Sequence, residues 1–432
     1  MTDRAETLPD IVAASCSAAC DDLQVQRITT SAGVQIDSID TSCTAAGELL
    51  GLPPRAIPCR IDGKEVSQTD AIAAALKLLK SSQAPLIYGL RYSTAEAQGV
   101  AVSLGERLGA TIDTAASNHI GARGTAIQTV GTSGCTYGEL RDRADCILFW
   151  QADPAATHDC FWRRFVEGGA NQSSAVRLAV GSGESSIAEA ADLFVPLASE
   201  NSYAALSVLR ALLNGATLDP QSVFKSTNMP LSSWQKLLAR LKESQYGVVL
   251  YDPSALSPHV ATVLHALTID LCAHTRFSSL SLPKAGNLAG ASAVLTWRTG
   301  FPGAVNFATG YPRYSPCEWS AQQLIARGEA DLLVLIGDDL SGLGPVAEQA
   351  SRLPRIEIGV PTSSINPENT PAYSTANLIQ IPTASYLTGT DGTVFRGDGV
   401  PLPLRAIQSS PFPDLQSILQ ELLDGLAEKE QR

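Results

Sequence analysis

The chain has 432 residues, more than the roughly 100–200 of a single domain, so two or three packed units are expected. Hydrophobic residues make up 44% and charged residues 17%, which excludes a disordered chain, and 31 basic against 43 acidic residues give a net charge of −12 that disfavours a nucleic-acid partner. The N-terminus has no apolar signal region, no stretch approaches the ~20 apolar residues of a membrane helix, and the nine cysteines are scattered, so a cytoplasmic protein without membrane contact is expected.

In chain order, the first sixty residues read as a small β-rich unit, with QVQRITTSAGVQIDSID predicting a hairpin that turns at Ser31-Ala32-Gly33. A Pro-rich join (51–58) leads to a helix over 70–80. From residue 84 short apolar runs alternate with helical patterns, the signature of βαβ units, so the class is α/β. Strands are predicted at 84–90, 145–151, 175–180, 192–197, 246–252, 331–337 and 354–359. Helices are predicted at 94–109, 201–214, 230–244, 258–274, 318–328 and 345–352, from apolar residues recurring at i, i+3 and i+4. Residues 111–165 alternate turn formers with few apolar residues and read as a long loop region around one predicted strand, and 281–291 reads as a second join. The last stretch, 414–432, is one amphipathic pattern.

The chemistry-bearing residues are few. Cys16, Cys20 and Cys43 cluster in the β-rich unit, but a cubane cluster or a structural zinc site needs four ligands, and Cys59 lies beyond a Pro pair; three thiols without metal are the favoured reading. Asn118-His119 is the polar focus of the long loop region, and a lone histidine without an oriented nucleophile names no reaction. GLRYS, QADPAA, YDPSA and GDDLSG fall at predicted strand C-termini, where open parallel sheets hold ligands. The acidic residues there, Asp153, Asp338 and Asp339, bind a ribose or magnesium, or simply cap the next helix. No G-x-G-x-x-G follows a strand, and neither a Walker A sequence nor H-E-x-x-H occurs, which disfavours nicotinamide dehydrogenases, P-loop enzymes and zincins.

Several blocks carry a family resemblance: CSAACDD near the start, TSC at 41–43, SNH at 117–119, RADCILFWQADPAATH at 143–158, TWRTGFPGAVNFATGYPRYSP at 296–316 and GTDGTVFRGDGVPLPLR at 389–405. Over almost the whole chain they resemble the B subunit of formylmethanofuran dehydrogenase, which is itself similar to the molybdopterin oxidoreductases. The resemblance implies a small N-terminal iron–sulfur-type domain at 1–60 and two interleaved doubly wound α/β lobes, the first at 61–113 with 285–432 and the second at 114–284.

Laid over the family's N-terminal cysteine motif, three ligand positions fall on Cys16, Cys20 and Cys43, while the first falls on Ala13. The position of the family's metal-binding cysteine or selenocysteine falls on Asn118, before His119. An amide oxygen is neutral and hard, a poor substitute for a thiolate on a high-valent metal. The joint change implies that the molybdenum or tungsten pterin and the [4Fe–4S] cluster are lost, with no metal and no catalytic residue in this chain. That pattern resembles the β subunit of the bacterial formyltransferase/hydrolase complex, in which formyl groups pass from tetrahydromethanopterin to a methanofuran-type carrier and are hydrolysed on other subunits. The implied role is a non-redox scaffold bound to those subunits and to the carrier, the alternative being a redox-active dehydrogenase subunit with unusual ligands. Arg313, Arg396 and Arg405 lie in the most family-like blocks and suit a carboxylate-bearing carrier, or else pair with the chain's own acids. No room is left for a barrel of ~100 residues over the cofactor cleft, so an obligate partner is expected.

Overall fold

The computed structural model describes residues 4–31, 33–41, 43, 46–47, 50, 57–115, 117–169, 175–183, 185–282, 286–360 and 376–427. The chain divides into two compact units, Met1–Asn118 with Ala285–Arg432, and His119–Lys284.

The first unit opens with an antiparallel sheet of β1 (Arg4–Ala13), β2 (Cys20–Thr30) and β3 (Gly33–Asp40). Alternation along β2 buries Leu23 and Val25 while Asp22, Gln24 and Gln26 face solvent. The predicted hairpin is present, and Gly33, at φ +113°, supplies the turn backbone that a side chain resists.

The remaining strands of the unit build a nine-stranded mixed sheet. They are β4 (Cys59–Ile61), β5 (Lys64–Val66), β6 (Pro85–Gly89) and β7 (Thr111–Thr114). The chain then leaves for the second unit and contributes β8 (Cys146–Trp150), β9 (Val176–Gly181), β10 (Leu193–Pro196), β11 (Tyr246–Tyr251) and β12 (Arg276–Ser281) there. Back in the first unit it forms β13 (Val305–Asn306), β14 (Arg313–Tyr314), β15 (Leu332–Ile336), β16 (Arg355–Ile358) and β17 (Leu378–Ile381), then a separate hairpin of β18 (Gly392–Phe395) and β19 (Pro401–Leu404).

In the first unit the order is β14-β13-β7-β6-β15-β16-β17-β4-β5, with a parallel core from β7 to β17 and antiparallel pairs at both edges. Apolar strand residues such as Ile87, Val334 and Ile356 share a core with the helices Gln68–Ser81, Ala95–Leu108, Leu288–Thr299 and Leu415–Ala427. The helix Ala95–Leu108 begins where Thr94 accepts from the Ala97 amide and ends at left-handed Gly109. In the second unit all pairings of β10-β9-β8-β11-β12 are parallel, over a core that includes Leu148, Trp150, Trp234 and Phe277. Gly247 is required there, because a Cβ on it would lie 2.1 Å from the Phe277 ring.

The seven predicted strands are all present, and the structure corrects the reading between and beyond them. Residues 111–165 are not a loop region: they hold β7, the helices Ser117–Val130 and Tyr137–Arg143, β8, and a π-helix at Trp162–Glu167. The sequence SNHIGARGTAIQTV has no clean apolar stripe and two glycines, so periodicity could not reveal its helix. The helix Leu288–Thr299 begins inside the predicted second join. The helix predicted at 318–328 breaks at Ser320 into Pro316–Trp319 and Ala321–Arg327, and that at 345–352 is a 3₁₀ segment followed by Ala347–Ala350. Among the described residues no helix is long and apolar enough to cross a membrane.

Candidate functional site

Two of the N-terminal thiols, Cys16 and Cys20, sit at the closed end of the β1–β2 hairpin, and Cys43 follows β3. Ala13 ends β1, Cys20 begins β2, and the antiparallel register places these two residues opposite each other. Between them the Ala19 amide donates to the Cys16 carbonyl at 3.2 Å, closing a tight turn with Ala19 at φ +40°. The Ser17 carbonyl in that turn accepts from the Gly397 amide at 2.8 Å, which ties it to the β18–β19 hairpin. Cys20 and Cys43 are buried and Cys16 is half-buried. A four-thiolate cluster needs a donor atom at each position, and the buried side chain opposite Cys20 is a methyl group. The residues present therefore do not fit that group. Among the described residues no set of three or more His, Cys, Asp or Glu side chains is placed to hold a metal ion.

Asn118 and His119 lie in the first turn of the helix Ser117–Val130 rather than in a loop. Their side chains fall outside the described residues.

Each α/β sheet has one point where the strand order reverses, and ligands of open sheets bind at the carboxyl ends of the strands there. In the first unit that point lies between β6 and β15, which continue to β7 on one side and to β16 and β17 on the other. The strand ends carry GLRYS and GDDLSG, which the sequence placed at strand ends but not beside each other. Arg91 Nε lies 3.3 Å from Asp338 Oδ2, within ion-pair range but without the alignment of a hydrogen bond. Burial pushes the Asp338 carboxyl up to about 7 against the opposing pull of the Arg91 charge. Burial, reinforced by Asp338, also raises the Tyr88 hydroxyl far above its ordinary value. Asp339 caps the next segment, its Oδ1 accepting from the Ser341 amide at 2.7 Å. In the second unit the reversal lies between β8 and β11. There Gln151 adopts φ +49°, Asp153 accepts from the Ala156 amide at 3.2 Å and the Ser186 amide at 2.7 Å, and the Tyr251 hydroxyl meets His265 Nε2 at 3.2 Å. Of the two readings left open by the sequence, ligand or cap, Asp153 and Asp339 are seen as caps, and Asp338 is an ion-pair partner.

Two further residues that sequence reasoning missed hold the loops of the first unit. Asn287, fully buried, donates from its amide to the Arg91 carbonyl at 2.7 Å and from Nδ2 to the Ser93 carbonyl at 2.9 Å, while its Oδ1 accepts from the Phe395 amide at 2.8 Å. Asp113, buried at the end of β7, accepts from the amides of Thr114 (3.0 Å), Ala304 (2.9 Å) and Ala321 (2.7 Å). Several of their partners lie roughly 190 to 210 residues away in the chain, beyond any local pattern.

The three arginines have different fates. Arg396 grips Asp398 with Nε at 2.9 Å and Nη2 at 2.8 Å, and the Asp398 side chain is fully buried, so this guanidinium forms a two-pronged pair within its own hairpin turn. Arg313 is exposed and stacks over the Trp319 ring at 4.7 Å, and Arg405 is exposed.

No protein-family model matches the chain. It is 32% identical over 384 residues to the B subunit of the tungsten-containing formylmethanofuran dehydrogenase 2 of Methanocaldococcus jannaschii, covering 85% of both chains. Identity to the protein of the same name in Methanococcus maripaludis is 28% over 366 residues, 81% of each. The B subunit of the formyltransferase/hydrolase complex of Methylorubrum extorquens is 29% identical over 270 residues, 60% of this chain and 69% of that protein. Among solved structures, a chain of the Methylorubrum extorquens formyltransferase/hydrolase complex with methylofuran superposes at TM-score 0.72 and 23% identity, over 87% of this chain and all of that one. Acetylene hydratase from Pelobacter acetylenicus superposes at TM-score 0.64 and 11% identity, over 96% of this chain and 69% of that one. The fold is therefore the molybdopterin-oxidoreductase-like one, a β-rich N-terminal sheet with interleaved α/β lobes.

Proposed function

Since this chain belongs to the family of formylmethanofuran dehydrogenase B subunits, we propose that it is the non-redox structural and carrier-docking component of a formyltransferase/hydrolase complex. The complex acts in tetrahydromethanopterin-linked oxidation of formaldehyde to formate in the cytoplasm. The observation that carries this reading is Ala13 opposite Cys20, a methyl group where a cluster needs a thiolate. Asn118 at the position of the family's metal-binding thiol supports it from the sequence. Transfer and hydrolysis take place on the other subunits, and this chain forms and breaks no bond. It supplies a surface for those subunits and for a methanofuran-type carrier, with Arg313 and Arg405 as the cationic contacts still exposed to a carboxylate. Residues 1–60 act as the remnant of a cluster domain, 61–113 with 285–432 as one lobe, and 114–284 as the other.

The test is elemental analysis of the anaerobically purified native complex, combined with size-exclusion chromatography. The expected result is no stoichiometric molybdenum or tungsten, no cubane iron, and co-elution with partner chains across an obligate interface of more than about 2,000 Å². Stoichiometric tungsten or molybdenum would establish the redox reading, which the identity to tungsten-containing relatives keeps as the competitor. A stable monodisperse monomer that ignores its partners would reject the scaffold.

A further inference from the structure

The crevice at the reversal point between β6 and β15 is the place where an open sheet of this kind normally receives a ligand. In this chain the two loops leaving those strands bond to each other across it. The Leu90 amide extends the β6–β15 ladder to the Ile336 carbonyl at 2.7 Å, and between the loops the Tyr92 amide donates to the Gly337 carbonyl at 2.8 Å. Two glycines make this approach possible. A Cβ on Gly89 would lie 2.6 Å from Asp338 Cβ, and one on Gly337 would lie 2.6 Å from the Tyr92 carbonyl oxygen. Leu90 follows at φ +66°, a strained conformation for a leucine, fixed by a carbonyl that accepts from Gln98 Nε2 at 3.1 Å.

Side chains occupy what the backbone leaves. The Arg91–Asp338 pair lies over the strand ends, and the Tyr92 and Tyr386 rings pack with centroids 6.2 Å apart. Tyr386 is 6% exposed, and among the described residues its hydroxyl has no hydrogen-bond partner. The cavity beside these rings measures about 30 Å³, room for one or two waters. Small-molecule and cofactor sites need roughly 300–1,000 Å³.

We propose that the reversal-point crevice of the first unit is filled by the chain's own Arg91, Asp338, Tyr92 and Tyr386, so that this sheet accepts no nucleotide-sized ligand. The inference deepens the non-redox reading and rests on it for why the crevice is dispensable; its geometry stands apart from that reading. It also gives Tyr386 the role of a plug, which a ring in an open, water-filled cleft would not have.

The full chain, with its partners where it needs them, is treated with tetranitromethane and the nitrated tyrosines are read by peptide mass. Tyr311, which is 60% exposed, is expected to react and Tyr386 to be spared. In parallel, Tyr386→Ala is expected to melt several degrees lower and to regain much of that loss in millimolar phenol, which leaves the wild type unchanged. Nitration of Tyr386 at the rate of Tyr311, failure of phenol to rescue a folded Tyr386→Ala, or a saturable rise in wild-type melting temperature with guanosine diphosphate would each overturn the inference. If Tyr386→Ala does not fold, Tyr386→Phe decides: its melting temperature should equal or exceed that of the wild type, and a fall of more than about 2 °C would show that the hydroxyl is needed. A reactive Tyr386 in protein free of molybdenum and tungsten refutes the plug while leaving the proposed function intact; metal in protein with a spared Tyr386 does the reverse.

Discussion

Ala13 and Cys20 face each other across the last rung of the β1–β2 hairpin, a methyl group against a buried thiol. Without a fourth thiolate the remaining cysteines are expected to act mainly as small packing side chains, Cys20 and Cys43 buried and Cys16 half-buried. Replacing Cys16, Cys20 and Cys43 together by Ser should lower stability by at most a few kcal/mol, the cost of desolvating hydroxyls, and leave formyl transfer by the complex nearly intact. Urea unfolding and a transfer assay check this. Loss of assembly in the triple variant, matched by loss of partners from the wild type on chelation, would reveal a structural metal.

The Asp338 carboxyl binds its proton more tightly in the folded chain, where it titrates near 7, than in the unfolded chain, where it titrates near 4. Its contribution to stability is therefore complete below pH of about 4 and is lost as pH rises through about 7, a change on the order of a few kcal/mol. Asp338→Asn should flatten this fall. Melting curves of both proteins between pH 4 and 8 provide the measurement, and parallel pH profiles would show that Asp338 does not titrate in this window.

Asp113 gathers three backbone amides from β7, from residue 304 and from the start of Ala321–Arg327. Asp113→Ala leaves all three without an acceptor in a buried setting and should cost about 3–5 kcal/mol, whereas Asp113→Asn, which keeps one oxygen, should cost about half. The shift in urea midpoint at constant m reads both values. A cost below about 1 kcal/mol for the alanine variant would mean that water replaces the carboxylate.

Arg396 and Asp398 form a buried fork, while Arg313 and Arg405 are exposed. Arg396→Ala should cost about 3–5 kcal/mol by removing a two-pronged partner of the buried Asp398 carboxylate, and Arg313→Ala or Arg405→Ala should change stability by no more than about 0.5 kcal/mol. Carrier affinity should respond the other way round. Titration calorimetry with a carboxylate-bearing carrier is expected to show several-fold weaker binding for the Arg313 and Arg405 variants, and unchanged binding would remove them from the docking surface.

The sequence by itself determined the α/β class, the seven predicted strands and the N-terminal hairpin, because an apolar run or an alternating pattern is a local property of the chain. That Ala13 and Asn118 stand where the family has metal-binding thiols is what the resemblance implies, since residue type alone does not say which position a ligand would occupy. The helix Ser117–Val130 escaped notice because its residues lack a stripe, and short pairs such as β4–β5 and β13–β14 because two or three residues carry no period. Only the tertiary structure decided that Arg91 meets Asp338 and that Asn287 ties the Arg91 loop to the β18 hairpin. Those meetings depend on which strands become neighbours, and a non-local pairing is set by how whole faces bury together rather than by any window of sequence.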